Sequence, residues 1–441
     1  MKKLLVFFFL CLLAGNSWAQ NFRELNKKGN IIYYNIISGA NFTVEVTYLE
    51  SAAHSRTPNT YYNTISIPDT VDHSGKKYVV IGIGESAFSD CARLTSVTIP
   101  STVTYINKSA FANCKGLGSI VIPNSVTNID KEAFAGCSGL NAIEIPASIT
   151  TINEKTFSGC SGLRSITFPG TLTTLSDQAF AGCSAVNSIA IPASLTNISE
   201  SAFNGCSSLK TLSVDSLNPQ YKSINGILYN QALTKLVRCT EGNSSIAIPT
   251  SVTVIGNSAF FGCSKLTAIE IPTSVEQFER YAFANCTGLT SFTVPSSVTD
   301  MSDGSFKGCS KLTTISLPTS ITAFRAETFS GCSSLNNIKI PSSVTSIGER
   351  TFYNCGALTG MVIPSSISSI SKEAFYGCLK LMKIAVERTQ PAKCESNSFE
   401  GRNSYSCTLN VPLGAAPTYR AATGWRVFSN IREEAAPAAE K

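Results

Sequence analysis

IPSTVTYINKSAFANCKGLGSI, residues 99–120, is the stretch that decides the fold, because near copies of it follow one another along most of the chain. Its phenylalanine returns every 23 residues in two runs of six. These residues are Phe88, Phe111, Phe134, Phe157, Phe180 and Phe203, then Phe260, Phe283, Phe306, Phe329, Phe352 and Phe375. A strict period of this length predicts a repeat solenoid, in which stacked coils share one continuous core.

Each repeat predicts one short β-strand followed by a turn. The residues fourteen and twelve positions before the phenylalanine are apolar, as Val97 and Ile99 are, and residues two apart point to the same side of a strand. A proline then ends the strand, because proline cannot donate to a β-ladder. Two further apolar residues precede the phenylalanine by eight and five positions, and the Ala-Phe-x-x-Cys segment closes the turn on the opposite side.

The repeat is interrupted once. The spacing from Phe203 to Phe260 is 57 residues, which is two periods plus 11, so one unit is replaced. Strand-like stretches at 227–229 and 233–237, separated by the turn-prone Asn230-Gln231 pair, predict a β-hairpin inserted into one coil. The array therefore divides into a first block at 84–210, an irregular repeat at 211–246 and a second block at 247–384.

The two ends of the chain differ from the repeats. Lys2 and Lys3, an apolar run and a Ser-Trp-Ala site predict a signal peptide at 1–19, and the run is too short to span a bilayer, which takes about 20 residues. Alternating apolar and polar residues predict an all-β N-terminal cap at 20–83. Bulky residues at 419–431 predict a C-terminal cap at 385–432 that closes the core, with a disordered tail at 433–441.

The pattern Leu-x-x-Ile-x-Ile at 140–145 resembles the leucine-rich repeat. The proline after the strand, the 23-residue period and the Ala-Phe-x-x-Cys segment make residues 84–384 similar to the repeats of Treponema pallidum and of the BspA-like bacterial surface proteins. This resemblance implies a curved, right-handed solenoid, with parallel strands on the concave face and irregular or short helical turns on the convex face. It also implies a secreted or cell-surface protein that binds host matrix, epithelium or other microbes.

The cysteines favour core packing over disulfides or metal. Twelve of the fifteen that follow the signal peptide occupy one repeat position, so they point the same way, whereas a disulfide needs two facing Cβ atoms. We therefore expect buried, reduced thiols. The sequence leaves open whether Cys394 and Cys407 pair. No Cys-x-x-Cys occurs, and both histidines, His54 and His73, lie in the cap, so no metal site or cofactor is expected.

Composition argues against an enzyme and against nucleic acid. Two histidines near one end leave no material for a Ser-His-acid or Cys-His arrangement across the array. The net charge of +6 is mild for 441 residues, and the basic residues look scattered along the chain. The expected activity is non-enzymatic protein binding or adhesion, with a host extracellular-matrix or plasma protein as the partner. The alternative is a structural scaffold, periplasmic or extracellular, without a host ligand.

The candidate binding residues lie in the interruption. The strand positions expected on the concave face are mostly Ser, Thr and Ala, whereas binding energy at interfaces concentrates in Trp, Tyr and Arg. The irregular repeat offers Tyr221, Lys222, Tyr229 and Arg238 on what we expect to be a projecting hairpin. These four residues are the predicted protein-binding site.

Overall fold

The computed structural model describes residues 21–48, 60–240, 246–401 and 406–434. The predicted signal peptide and residues 435–441 of the predicted tail lie outside these ranges. The N-terminal cap contains β1 Asn21–Leu25, β2 Ile31–Ser38, β3 Thr43–Thr47, β4 Asn63–Ser66, β5 Thr70–His73 and β6 Lys76–Ile83. Strands β1, β2 and β3 pair antiparallel, and β3 then pairs parallel with β6. The cap is all-β, as the sequence predicts.

The first block and the start of the irregular repeat form eleven short strands. They are β7 Leu94–Thr98, β8 Tyr105–Ile106, β9 Ser119–Ile120, β10 Asn128–Ile129, β11 Ala142–Glu144, β12 Thr151–Ile152, β13 Ser165–Thr167, β14 Thr174–Leu175, β15 Ser188–Ile191, β16 Asn197–Ile198 and β17 Thr211–Val214. The odd-numbered strands are the predicted ones, and their partners are 23 residues apart, as in Val97 and Ile120. They form the first ladder, which is a parallel solenoid ladder.

The even-numbered strands form a second ladder that the sequence did not predict. Strand β6 of the cap pairs parallel with β8, and β8 pairs parallel with β10, so the cap sheet runs into this ladder. Strands β8, β10, β12, β14 and β16 are each two residues long with one buried residue, such as Ile106 or Ile129. A single inward residue cannot produce the period-two alternation that identifies a strand. In the sequence, only the apolar residues eight and five positions before the phenylalanine indicate the second ladder.

The insert continues the array with a small antiparallel sheet. Its strands are β18 Tyr221–Ile224, β19 Ile227–Asn230 and β20 Lys235–Arg238. Strands β19 and β20 form the predicted hairpin, and β18 adds an antiparallel neighbour on the other side of β19. Strand β20 then pairs parallel with the first strand of the second block, so the insert ends inside the second ladder.

The second block and the C-terminal cap complete the solenoid. Their elements are β21 Val254–Ile255, β22 Gln277–Phe278, β23 Ser291–Thr293, β24 Asp300–Met301, β25 Thr314–Ser316, β26 Ser346–Ile347, β27 Gly360–Ile363, β28 Ser369–Ile370, β29 Lys383–Val386, β30 Lys393–Cys394, β31 Thr408–Pro412, α1 Ala416–Ala421 and β32 Asn430–Glu434. Tyr419, Trp425 and Phe428 are buried in the cap. Strand β32 pairs parallel with β31 as far as Glu434, so Glu433 and Glu434 belong to the sheet and not to the tail.

The repeat phenylalanines stack into a column through the core. The ring centroids of Phe88 and Phe111 are 4.9 Å apart with an interplanar angle of 1°. The column ends at Phe203 and begins again at Phe260, after which it runs to Phe399 in the C-terminal cap. Offset stacking adds to the stabilisation from apolar burial, so one side chain per coil both fills the core and sets the contact with the next coil.

The thiols form a second column beside the rings. Ten of them donate to the carbonyl of the phenylalanine 26 residues earlier, as Cys114 Sγ does to Phe88 at 3.0 Å. None of the fifteen described cysteines is in a disulfide and all are buried, so the prediction of core packing is confirmed, and Cys394 and Cys407 are not bonded to each other. Burial raises the pKa of the Cys183 thiol well above its ordinary value. Such a thiol stays protonated and keeps its donor.

The turn between the two columns requires a left-handed backbone. The residue two positions after the phenylalanine has φ of +72° at Gly136 and +58° at Asn113. Glycine and asparagine adopt this conformation at low cost, which accounts for the frequent Gly-Cys pair of the repeat. The Gly-Cys pair is therefore backbone geometry and carries no sign of a catalytic nucleophile.

The insert separates the core into two parts. Leu228 and Val237 pack into the N-terminal part, which we call the first core. Tyr229 and Leu236 pack into the C-terminal part, the second core. Alternate residues of a strand point to opposite faces of its sheet, so β19 and β20 present one apolar face to each core. The insert is thus an internal wall of the solenoid.

Candidate interaction surfaces

The outward positions of the first ladder make a surface of small side chains, as predicted. Thr98, Ser119 and Thr293 are exposed and flank buried apolar residues of the same strands. Val121, directly after β9, and Val362, within β27, are exposed large apolar side chains of this face. This face lacks the aromatic anchors that concentrate binding energy at protein interfaces.

The structure does not bring the four predicted binding residues together on one surface. Tyr229 is fully buried in the second core, and burial raises the pKa of its phenol to about 12. Arg238 is also buried. The expectation that the hairpin projects is wrong for these two residues, because the strands that carry them line the wall between the cores.

Arg238 joins the two blocks across the missing coil. Its Nη1 donates to Oδ1 of Asn204 at 2.7 Å and to the Ser258 carbonyl at 2.8 Å. Its Nη2 donates to the carbonyls of Phe203 at 3.2 Å and Phe261 at 3.3 Å. In other coils the phenylalanine carbonyl accepts from the thiol of the next coil, and after Phe203 that coil is absent. At the Phe203 carbonyl, the guanidinium supplies the donor that the thiol of a regular coil would have supplied.

Tyr221 and Lys222 have a different placement. The Tyr221 hydroxyl accepts a 3.0 Å hydrogen bond from the Ile198 amide, at the point where β16 has no further parallel neighbour. Its ring is half-buried, whereas Lys222 is exposed. A binding role for these two residues stays a prediction.

A surface that the sequence reasoning missed lies on the last full coil. Tyr376, Leu379 and Met382 are 37%, 64% and 51% exposed. They stand one, four and seven positions after Phe375. The repeat itself would have revealed them, since no other coil has a large apolar residue at the four or seven position and most have Ala or Ser at the first. We call these three residues, with Tyr353 of the preceding coil, whose ring stacks on Tyr376, the C-terminal apolar surface.

Two tyrosines give this surface a rigid part. The rings of Tyr353 and Tyr376 are stacked with centroids 5.0 Å apart and an interplanar angle of 10°. The Arg350 guanidinium lies 5.7 Å from the Tyr353 ring, while its Nε donates to Glu373 at 2.5 Å. On the other side, a Cβ at Gly401 would come within 2.7 Å of the Tyr376 ring, so the next coil's backbone fits against it closely. Fixed aromatic rings suit a binding surface because little side-chain entropy is lost on contact.

The described residues show neither a metal-binding cluster nor a helix that could span a membrane. Residues 21–48, 60–240, 246–401 and 406–434 contain no group of three or more His, Cys, Asp and Glu side chains placed to hold a metal ion. The same residues form no helix long and apolar enough to cross a membrane. Burial raises the pKa of the Cys394 thiol to about 11, which leaves this cysteine a poor nucleophile near neutral pH.

Comparison with known proteins extends the repeat assignment. The model of the BspA type leucine rich repeat region matches residues 80–227, 237–358 and 322–414 in six copies. No curated protein matches the chain significantly. A leucine rich cell surface protein from Faecalibacterium prausnitzii is 28% identical with a TM-score of 0.61, over 83% of this chain and 95% of its own.

Two other solved structures agree in fold alone, because their sequences are more distant. The pneumococcal vaccine antigen PcpA is 20% identical with a TM-score of 0.63, over 94% of this chain and 98% of its own. A leucine-rich repeat protein from Eubacterium ventriosum is 22% identical with a TM-score of 0.55, over 84% of this chain and 92% of its own. Both are bacterial proteins with a similar stacked architecture.

Proposed function

The chain belongs to the family of BspA-type leucine-rich-repeat proteins, and from that membership we propose that it is a non-enzymatic adhesin, secreted or held at the cell surface. Its partner in this proposal is a protein, such as a host matrix or plasma protein. The similar protein of F. prausnitzii is described as a cell surface protein, which supports the location. The predicted signal peptide supports export, to the surface, the medium or the periplasm.

The C-terminal apolar surface is the observation that carries this proposal. A solenoid repeats the same solvent-facing residues unless something other than folding acts on them. Here three outward positions of one coil change together to Tyr376, Leu379 and Met382. Exposed apolar side chains contribute nothing to a core, and clusters of them mark interaction sites. Tyrosine is also among the residues that dominate binding energy.

The test replaces these residues with those of the matching positions in other coils. The variant Tyr376→Ala/Leu379→Ser/Met382→Thr copies Ala135, Ser138 and Thr359. Fibrinogen and fibronectin are the first partners to offer in a surface plasmon resonance assay. Loss of two or more anchors is expected to weaken binding at least about thirtyfold, or about 2 kcal/mol. Because the new residues already occur in the repeat, circular dichroism and thermal unfolding should match the wild type.

Two controls accompany this variant. Glu144→Ala with Glu270→Ala changes exposed residues of the first ladder, and Lys222→Ala changes the exposed residue of the insert. The first control is expected to leave binding unchanged, and a loss in the second would place a contact at the insert. Full binding by the triple variant would rule out the C-terminal apolar surface as the site. A wild type that binds neither partner would favour the scaffold alternative over adhesion.

A protease-protection assay tests the proposed location of the protein. Protease added to intact cells is expected to degrade the protein if it is held at the surface. Complete protection in intact cells, together with degradation after the envelope is opened, would contradict the surface proposal and place the protein in the periplasm.

A further inference from the structure

The charges of the repeats are sorted by position within the coil. Each coil has a strand arm, from the residue after its cysteine to the residue before the next proline, such as 115–122. It also has a turn arm, from that proline to the next cysteine, such as 123–137. Over 84–214 and 249–386 the strand arms hold nine cations and two acids, a net +7, and the turn arms hold eight cations and fourteen acids, a net −6. A nearly neutral array therefore has one basic side.

The two arms lie on separate sheets. The strand arms contain the first ladder and the turn arms contain the second, and the described strands of the two ladders do not pair with each other. Stacking brings the strand-arm charges into a row, because backbone hydrogen bonds connect Gly118 to Asn141, Asn141 to Arg164, and Asn187 to Lys210 in neighbouring coils. Neighbouring parallel strands are about 4.8 Å apart, so cations that lie one or two coils apart are separated along the stack by about one Debye length or less.

The nine cations of the strand arms form what we call the basic row, and all of them are exposed. They are Arg93, Lys115, Arg164, Lys210, Lys265, Lys311, Lys339, Lys380 and Lys383. Each cation lies within three residues of the position at which the backbones of neighbouring strand arms hydrogen-bond, as Asn141 does with Arg164. These basic residues are scattered along the sequence, but stacking of the coils brings them to one side of the solenoid.

The cations of the turn arms and those of the strand arms differ in how often they pair with a carboxylate. Seven of the eight turn-arm cations lie within 4 Å of a carboxylate, as Lys108 does with Glu85 and Arg325 with Asp300. In the basic row, Lys383 is paired with Glu434 and Arg93 lies over the Tyr62 ring. Six others have no ion pair among the described residues: Lys115, Arg164, Lys210, Lys265, Lys311 and Lys380. Their charge is available to a ligand.

We propose that the basic row binds a linear anionic polysaccharide, one that carries carboxylate or sulfate groups, laid along the first ladder across successive coils. The row extends along the stacked coils, and its small Ser and Thr neighbours offer hydroxyls to sugar oxygens. A single-stranded nucleic acid would require stacking aromatics, and a folded protein would require anchors, and this face has neither. Lysine, which makes up seven of the nine, suits diffuse attraction because it acts as a point charge.

This activity goes beyond the proposed protein adhesion, and the basic row meets the C-terminal apolar surface only at Lys380 and Lys383. Dextran sulfate and uncharged dextran are the probes, since they share one backbone and differ in charge. Binding of dextran sulfate is expected at low salt and should weaken steeply as salt rises, because it depends on several exposed charges. Binding of plain dextran is not expected.

The decisive variant is Lys210→Gln/Lys265→Gln/Lys311→Gln, which removes three members of the row far from the C-terminal apolar surface. Its control, Lys108→Gln/Lys155→Gln/Arg325→Gln, removes three paired turn-arm cations and gives the same net charge. The row variant is expected to bind dextran sulfate about tenfold to hundredfold more weakly at low salt, and the control less than about threefold. Fibrinogen and fibronectin binding should be unchanged in both.

Three outcomes would overturn the proposal. Equal losses in the two variants would mean that net charge, and not the row, attracts the polymer. Absence of dextran sulfate binding at low salt would remove the site. Tighter binding of single-stranded DNA or of polyglutamate than of dextran sulfate would assign the row to a nucleic acid or to an acidic polypeptide. None of these results depends on whether the protein is an adhesin.

Discussion

Arg238 offers a direct test of how the two blocks are joined. Substitution Arg238→Met keeps an unbranched side chain in the wall and removes its donors. The Asn204 Oδ1 and the Phe261 carbonyl then lose their only described donors, while the carbonyls of Phe203 and Ser258 keep a backbone N–H. Asn204 and Phe261 are half-buried, so each oxygen left without a donor costs towards the low end of about 1–3 kcal/mol. The relief of removing a buried cation without a carboxylate partner offsets part of this cost, so we expect a loss of about 1–2 kcal/mol.

The loss should fall on the coupling between the blocks. Trp425 is the only tryptophan outside the predicted signal peptide, so its fluorescence in urea reports unfolding of the second core. Hydrogen exchange of amides around Phe134 reports the first block. In the variant, the two probes should give midpoints further apart than in the wild type, because nearest-neighbour contacts carry cooperativity in a solenoid.

The control is Arg280→Met, which removes an exposed arginine that pairs with Asp303 at 3.5 Å. Its cost should stay below about 1 kcal/mol, as for other exposed ion pairs. The reasoning would be refuted if Arg238→Met were as stable as this control, or if both probes reported one shared transition with unchanged midpoint.

Three further results are expected. Phe306→Ala should cost about 3–5 kcal/mol by opening a cavity between stacked rings, and hydrogen exchange should place the loss in the adjacent coils; uniform loss across the chain would contradict this. Mass spectrometry after alkylation in denaturant, without reductant, should find the twelve repeat thiols free, and linkages among most of them would contradict it. Burial raises the pKa of Glu45, so its ionisation destabilises the fold as pH rises through that pKa; Glu45→Gln should therefore raise Tm at pH 7 and not at pH 4, and equal gains at both would count against this.

The sequence predicted the repeat itself because one residue type marked each coil. Phe111 and Cys114 recur in a fixed frame, and both are in the core of every coil. The second ladder escaped prediction because strands such as β8 have one inward residue, and a hydrogen-bonded ladder between coils leaves no mark within a single coil. Such contacts are visible only when repeats are aligned on each other in space.

The binding residues were harder to predict than the fold. Residue type suggested Tyr229 and Arg238, because tyrosine and arginine dominate interfaces, yet both also serve interiors when a hydrogen-bonding partner or an irregular gap requires them. The alternation of side chains along β19 would have predicted a buried Tyr229 only if it had been known that a core covers each face of this strand. Leu379 and Met382 were visible in the sequence as departures from the repeat, which is a stronger signal than residue type.

The wall made by the insert bears on how such a chain changes in length during evolution. A duplicated 23-residue unit inside either block adds one ring to the phenylalanine column and leaves the faces of β19 and β20 unaltered. Duplicating the insert would give two adjacent walls. The face of one copy that packs on the second core would then meet the face of the other copy that packs on the first core. Gene duplication can therefore lengthen each block independently, while descendants retain a single insert and differ in the number of coils on either side of it.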